Sequence, residues 1–486
     1  MSRVGVHVTT TAQAGRAGTG VASGRFFLAG LAERGPANTP TIVRSAAAFA
    51  TTFGGRTAYN SPLYDTIRSF FEEGGGEAVF VRAVGPAATT GNAVLKDNAD
   101  ADTVTLTASS AGAWSAGVSI VVTQVGATAF APARSRLTVT GPAGVESFTE
   151  ATVLELVESI NRRSKYLVAT PVPGDNGLPS ATIDPVVLTA GDDDRAAAGG
   201  AVIADALGQI GTEYGTGAVA LPGLTADTVG DVLLNHAQQF NRVALMAMDV
   251  DTPVSEVEGA AAELGQHPAA DYGAILYPWV TVPDGSASRQ CPPEGYAAAK
   301  RSEAHATYGP WRTPAGDFST ADWLLGTVDN VSQSLNEELV DQNVTGIMTG
   351  NGKTRLYGWW SLSENSEHFE MLTARDTLNY LTVSCQQALE EFVFDTIDGR
   401  GLLTGKIESA LVGVLDPIAR GNGFYPSFDA EGNELDPGYQ VTVDDSLNTP
   451  ATLAENKIMA RVAVRLSPTA NLIELEIVKV PFTAAL

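Results

Sequence analysis

The sequence predicts a multidomain α/β (α+β) protein with a β-rich insertion, and three observations carry that reading. Apolar runs at Gly217 to Leu221, Arg242 to Val250 and Tyr272 to Tyr277 alternate with helical patterns, as expected of a parallel sheet covered by helices. Between Ala93 and Gly191 the chain turns to short Thr-, Val- and Ser-rich stretches broken by turn residues, the signature of antiparallel β structure. At 486 residues the chain exceeds a single ordinary core.

In order along the chain, residues 1–25 hold Arg3, Arg16 and Arg25 and no acid, and are rich in Gly, Thr and Ala. So little apolar surface predicts an extended N-terminal arm that folds on something else. Arg25 to Gly30 reads as a buried strand, Ser45 to Phe53 as a short helix, and Ser61-Pro62 as a helix start with Leu63, Ile67, Phe70 and Phe71 at helical spacing before Gly74 to Gly76. A strand over 77–84 completes an α/β module at 26–90. The β-rich domain follows at 91–191, interrupted by one helix opened by a Ser147-Phe-Thr-Glu150 capping box and closed by an exposed acidic turn, Asp192 to Asp194.

From Arg195 the alternating pattern resumes, with helices near 228–240, 253–264, 293–308 and 332–340. Val344 to Tyr357 reads as a hairpin turning at Asn351-Gly352. A long amphipathic helix carries Leu378, Leu381, Cys385, Leu389 and Phe392 on one stripe, and Val441, Val443 and the Ile458 to Leu466 run form a small mixed C-terminal domain. Asn471 to Val480 alternates Ile473, Leu475 and Ile477 with Glu474 and Glu476, which predicts a terminal edge strand. A basic extended arm at one end and an edge strand at the other suit assembly by strand exchange between copies, with Val4, Val6, Val8, Ile473, Leu475 and Ile477 as the pairing residues.

Composition narrows the function. A formal net charge of −25 opposes general nucleic-acid binding, because a phosphate backbone would be repelled by most of the surface. The two cysteines, Cys291 and Cys385, stand in no metal-binding or redox spacing and imply a reducing compartment. With no apolar h-region before Gly24 and no run of 18 apolar residues, the chain reads as made and kept in the cytoplasm, without membrane insertion.

Catalytic patterns fail on spacing. Gly346 to Thr354 ends like a phosphate-binding loop but has five residues between Gly346 and Gly352-Lys353-Thr354 where four are needed, and it lies in a hairpin. No Gly-x-Ser-x-Gly elbow occurs. His7, His236, His267, His305 and His368 carry no triad context and no zinc spacing. Cys385 sits on an apolar helix stripe and reads as a small core residue, whereas Cys291 beside Pro292-Pro293 reads as an exposed thiol with no neighbouring base. Asp429 to Asp436 lacks the alternating ligands of a calcium loop, and Trp359-Trp360 reads as core or interface. These patterns assign no enzyme activity, cofactor or metal. The competing readings are a hydrolase on the central α/β domain and another self-assembling shell or surface-layer protein.

Several segments, in order, resemble the contractile tail sheath family of bacteriophages and related contractile injection machines. They are Glu33-Arg-Gly-Pro36 with Pro40, Val43 to Gly54, Ser61-Pro-Leu-Tyr64, Phe70-Phe71 leading to Gly74 to Gly76, and Ala78 to Arg82. Leu335-Asn336, Gln342-Asn343-Val344, Arg355-Leu-Tyr-Gly358, the helix after Arg375 and Val441 to Asn448 continue the match. Where family members often begin a strand with Pro-Gly-Val-Tyr, this chain has Val4-Gly-Val-His-Val8.

The resemblance implies a subtilisin-like α/β sheath domain without catalytic function at 192–360 and a C-terminal sheath domain at 361–486 ending in a strand-exchange arm. It implies a structural subunit of a virion tail, synthesised in the host cytoplasm, that polymerises helically around an inner tail tube and contracts to drive the tube through the host envelope. The implied partners are further copies of the chain in stacked hexameric rings, the tube protein, and baseplate and tail terminator proteins. Charge suggests Arg375, Lys406 and Arg420 as tube-facing residues.

Overall fold

The computed structural model describes residues 22–128, 132–174, 177–365, 367–476 and 479. They divide into two compact units, a larger one formed by 24–376 with the described residues after 468, and a smaller one built on 377–468.

The larger unit opens with β1 (Arg25–Gly30), β2 (Thr41–Val43), α1 (Ala46–Phe53), α2 (Ser61–Glu72) and β3 (Ala78–Arg82). The Ser45 hydroxyl caps α1 by accepting from Ala48 N–H at 3.0 Å, Pro62 fits the first turn of α2, and Gly74 leaves the helix with φ +95°. Phe49 and Phe53 pack edge-on against Phe80 with centroids 5.1 and 4.7 Å apart, so α1 is held on the sheet by aromatic contacts.

The insertion comprises β4 (Asn92–Lys96), β5 (Asp102–Ala108), β6 (Ser119–Val125), β7 (Arg134–Gly141), β8 (Gly144–Glu150), α3 (Val153–Arg163), β9 (Leu167–Pro171) and β10 (Val186–Val187). Its sheets run β4-β5-β9 and β10-β6-β7-β8. Their alternating Val104, Leu106, Ile120, Val122, Leu137 and Val139 bury one core with Leu156 and Ile160 of α3. The capping box is displaced from its expected position: Ser147 and Glu150 pair with β7, and Thr152 caps the helix by accepting from Glu155 N–H. Burial of Phe148 on the sheet's inner face commits that stretch to the strand. Asn161 seals the outer edge of β9, its amide donating to Ala169 O at 2.9 Å and accepting from Ala169 N–H at 2.7 Å.

The chain continues through α4 (Gly200–Leu207), β11 (Gly217–Ala220), α5 (Ala226–Phe240), β12 (Val243–Met246), α6 (Val254–Gly265), β13 (Gly273–Tyr277), β14 (Val280–Asp284) and β15 (Ala287–Cys291). It then adds α7 (Glu294–Thr307), β16 (Gly326–Thr327), α8 (Gln333–Asp341), β17 (Val344–Gly350) and β18 (Lys353–Leu356). One eight-stranded sheet runs β18-β17-β13-β12-β11-β1-β3-β2, parallel from β17 to β3 with antiparallel strands at both edges. The stretches read separately as 26–90 and 192–360 therefore share a single sheet. Apolar cores lie on both of its faces, which explains the uninterrupted apolar runs of its strands. The Asn351-Gly352 turn has φ of +53° and +74°, the left-handed pair that a two-residue hairpin demands.

Arg82 joins the sheet to the insertion. Its fully buried guanidinium donates to Ala32 O at 2.8 Å, Gly35 O at 3.1 Å and Ala111 O at 2.9 Å, and lies 3.7 Å from the Asp193 carboxylate. The acidic turn is thus no solvated boundary. Asp193 is buried between Arg82 and Arg195, and Asp194 accepts from Ala87 N–H. Paired carboxylates of this kind are stable inside because the cation offsets their desolvation.

α7 is buried on every side from Glu294 to Ser302. Its Lys300 pairs with Glu73 at 3.2 Å, and that carboxylate also accepts from the backbone N–H groups of Asp322, Trp323 and Leu324. Its Arg301 grips Asp376 through Nε at 3.0 Å.

α9 (Leu372–Glu390) leads into the smaller unit, which holds α10 (Leu402–Arg420), β19 (Ser427–Phe428), β20 (Glu434–Asp436), β21 (Tyr439–Thr442), α11 (Pro450–Ala454) and β22 (Arg461–Val464). Gly405, Gly413 and Pro417 hide α10 from a propensity reading. Leu403, Ile407, Leu411 and Leu415 nevertheless stripe one face, and the Asp398 carboxylate accepts from Arg400, Leu402 and Leu403 N–H to start the helix. Pro417 is tolerated in the last turn. This stripe packs with Cys385, Leu389, Phe392 and Val443.

Replacing Arg82 with Met should cost about 3–5 kcal/mol, the range for breaking a buried charge pair and stranding its partner. Thermal unfolding of the purified variant should report it as a clear fall in melting temperature, and an unchanged value would refute the bracing role.

Candidate functional site

The residues that chemistry singles out are built into the fold. His236 of α5 is buried, its Nε2 2.6 Å from Arg242 Nη1, and burial followed by the Arg242 charge depresses it to about 3. Arg242 donates to the carbonyls of Ile210 and Gly211 and stacks 3.8 Å from the Phe27 ring. His305 lies 3.6 Å from Asp376, the acid already gripped by Arg301. His267 Nδ1 accepts from Ala269 N–H in a turn, and His7 lies outside the described residues.

Cys291 is fully buried, which corrects the expectation of an exposed thiol: pairing of β15 with β14 turns it inward, and burial pushes its pKa well up. Cys385 is half-buried on its stripe. Trp359 and Trp360 are core residues. Among the described residues no group of three or more His, Cys, Asp or Glu could hold a metal ion, and no helix is long and apolar enough to cross a membrane.

The surface with unsatisfied pairing capacity lies elsewhere. In the smaller unit β21 and β22 form a two-stranded antiparallel sheet, Tyr439↔Val464 to Thr442↔Arg461, with no further strand on either side among the described residues. Such a ribbon is marginal alone and is braced from behind. Tyr439 OH donates to Asp416 Oδ1 of α10 at 2.5 Å, and burial with that acid raises the phenol to about 12. Nearby, Asp436 accepts from Ser427 and Gly438 N–H and pairs with Arg465 at 3.2 Å; these contacts hold its carboxyl below the usual range. Just past β22, Leu466 bridges Phe424; along β21 and β22 themselves no other strand of the described residues pairs with the outer edges, which makes them candidates for β-augmentation.

The C-terminal segment has the complementary character. Among the described residues Asn471 to Glu476 joins no ladder, and Leu472, Ile473 and Leu475 stand 76%, 86% and 80% exposed. Its root is tied down: Thr469 Oγ1 lies 2.8 Å from Thr313 Oγ1, which is 2.9 Å from Thr373 Oγ1. Val4, Val6, Val8 and Ile477 lie outside the described residues.

The three cations selected by charge differ in setting. Arg375 is mostly buried, ion-paired with Asp271 and stacked on Tyr272 and Phe369, so its charge is matched inside the larger unit. Lys406 and Arg420 are exposed, near Asp395 at 3.7 Å and Asp416 at 3.2 Å. A helix pattern alone does not reveal that Arg375 faces Asp271, a residue 104 positions away.

Two buried groups link protonation to stability in opposite directions. Glu294 is buried, its Oε2 has no hydrogen-bond partner among the described residues, and burial raises its carboxyl to about 7 from the ordinary 4.5. Stability from its neutral form is complete below the unfolded value and is lost as pH rises through about 7. His236, depressed to about 3, contributes stability that is present above its ordinary value near 6.5 and is lost as pH falls from there. Glu294→Gln should therefore raise the melting temperature at pH 8, by an effect on the order of 3 kcal/mol, and leave it nearly unchanged at pH 4. Equal shifts at both pH values would show that Glu294 is already neutral or already paired.

No family model and no curated protein sequence matches this chain. Solved structures do. The sheath tail protein of Listeria innocua aligns with a TM-score of 0.62 at 14% identity over 87% of this chain and 89% of that one. A sheath tail protein from Desulfitobacterium hafniense aligns at 0.58 and 12% identity over 91% and 94%. The sheath complex of PVC, an extracellular contractile injection system, in its contracted state aligns at 0.56 and 13% identity over 98% of both chains. The match runs through both units and the insertion, and the chain has the fold of the contractile tail sheath proteins.

Proposed function

We propose that this chain is the structural subunit of a contractile tail sheath, which polymerises helically around an inner tube and shortens to drive that tube through a host envelope. The observation that carries the reading is the coverage of the fold likeness, 98% of each chain with a sheath in its contracted state. Two local features support it: a two-stranded sheet with open edges and an exposed tail of alternating apolar and acidic residues.

In this reading the terminal arms of one copy add strands to the β21–β22 ribbon of neighbours. Main-chain hydrogen bonds supply affinity, and alternate side chains supply register. Charge favours the N-terminal arm as one such strand. Arg25 is committed to β1 and paired with Glu77, which leaves Arg3 and Arg16 and no acid in residues 1–24, whereas 377–468 carry 13 Asp and Glu against six Lys and Arg. A mesh tied by backbone pairing survives rotation of the rigid bodies if the linkers bend, so contraction exchanges side-chain contacts while the lattice stays connected. The energy is stored in an extended lattice less stable than the contracted one, and no nucleotide enters the scheme. Partners on this reading are further copies of the chain, the inner tube, and the baseplate and terminator that end the tail.

Negative-stain microscopy of the concentrated chain should show hollow, helically striated tubes of uniform width. Deleting residues 1–20, or the residues after Asn471, should leave a folded monomer that forms none. Tubes of normal yield from either truncation would sink the strand-exchange scheme, and compact monomers from the full chain, with or without an inner tube, would sink the sheath reading.

A further inference from the structure

Outside the strand edges, one surface of the larger unit has the composition of a binding hot spot. Arg312 is exposed, and its guanidinium lies 5.5 Å from the Tyr308 ring centroid and 5.8 Å from that of Phe318; those two rings meet edge-on at 5.8 Å. Tyr308 is 55% exposed. Cation–π contact with two rings restrains the guanidinium, an arrangement that reduces the entropy lost when it meets a carboxylate.

The electrostatics single the group out. Among the described residues at 24–92 and 192–376, Arg312 is the one exposed Lys or Arg with no carboxylate within salt-bridge distance. The other exposed ones, Arg44, Arg56, Arg195 and Lys353, all have one, as do the half-buried Arg68 and Arg355. Beside Phe318, Asp317 is shared by Arg355 at 2.5 Å and Lys353 at 3.7 Å. Arg312 itself has no ion-pair partner among the described residues, on a chain of net charge −25. In an acidic protein an exposed, unpaired arginine supported by two rings is complementary to the acidic surface of a second copy of the same molecule.

We propose that the Tyr308–Arg312–Phe318 clamp, flanked by Lys353 and Arg355, is a docking point for a carboxylate on a second copy of this chain. The inference rests on the sheath reading and names a side-chain contact that the strand-exchange scheme does not supply. A contact of this kind adds affinity through the stacked ion pair and rate through the surrounding positive field, and both weaken with salt. Because it lies outside the backbone ladders, it is a contact that can be exchanged when subunits rotate.

The test compares wild type, Arg312→Glu, Arg312→Lys and Tyr308→Ala by sedimentation of polymer across protein and salt concentrations, with melting temperature as the check on folding. Arg312→Glu is expected to raise the protein concentration needed for assembly about tenfold or more, the equivalent of a single lost stacked ion pair. It should also flatten the salt dependence and leave the melting temperature unchanged. Arg312→Lys should fall between it and wild type, since the charge remains and the planar stacking is lost. Assembly of Arg312→Glu at the wild-type concentration with the wild-type salt response overturns the docking point and leaves the sheath reading standing. Failure of the wild type itself to assemble, with or without an inner tube, overturns both.

Discussion

The larger unit depends on a buried guanidinium at a chain crossing. Arg82 ends β3, where the chain leaves the sheet for the insertion, and Asp193 marks where it returns. A cation in that position must satisfy its donors or be expelled, since an isolated charge is costly in a low-dielectric interior. Arg82 meets this demand with carbonyls from two separate segments, 32–35 and Ala111, and with the returning acid. The same bonds that solvate the charge also fix both ends of the insertion against the sheet. An excursion of about a hundred residues is thereby accommodated between β3 and β11 of one sheet, consistent with the slow growth of closure entropy with loop length.

The same logic recurs in α7. Lys300 and Arg301 point in different directions from one buried helix, to Glu73 after α2 and to Asp376 in α9. Buried ion pairs contribute little net stability when both partners are present, and they penalise any arrangement that separates them. Rigid bodies of this kind suit a subunit whose proposed work is to move as a whole. Among the described residues, segments without ladders or core, such as 470–476, stand outside these bodies.

Edges are treated differently in different places. The outer strand of the β4-β5-β9 sheet is closed by the Asn161 amide, and the eight-stranded sheet ends in antiparallel strands at both sides. Among the described residues the β21–β22 ribbon is covered only past the end of β22, where Leu466 bridges Phe424, although an open edge is a liability that soluble proteins usually blunt. That contrast within one molecule supports reading the ribbon as a place meant to receive a strand.

Much of the architecture was legible from local chemistry. The 3.6-residue spacing of Leu63, Ile67 and Phe70, the Pro62 start, the Asn351-Gly352 turn and the apolar runs of β11, β12 and β13 each need only neighbouring residues to be interpreted. Where the local signal pointed two ways, packing chose. Ser147 to Glu150 has the letters of a capping box yet lies in a strand because Phe148 belongs to a core, and α10 forms through its apolar stripe despite two glycines and a proline. What the sequence by itself determined was the order and type of most elements, the acidic excess and the alternating tail, because periodicity and charge are properties of nearby residues. Only the tertiary structure decided that residues 26–82 and 217–356 share one sheet, that Cys291, Arg375 and Asp193 are inside, and that Arg312 stands clamped between two rings with no acid beside it. Each of these depends on partners distant in sequence or on the surface left after packing, and the free energy of a charge or thiol is set by the groups that folding brings within a few ångströms of it.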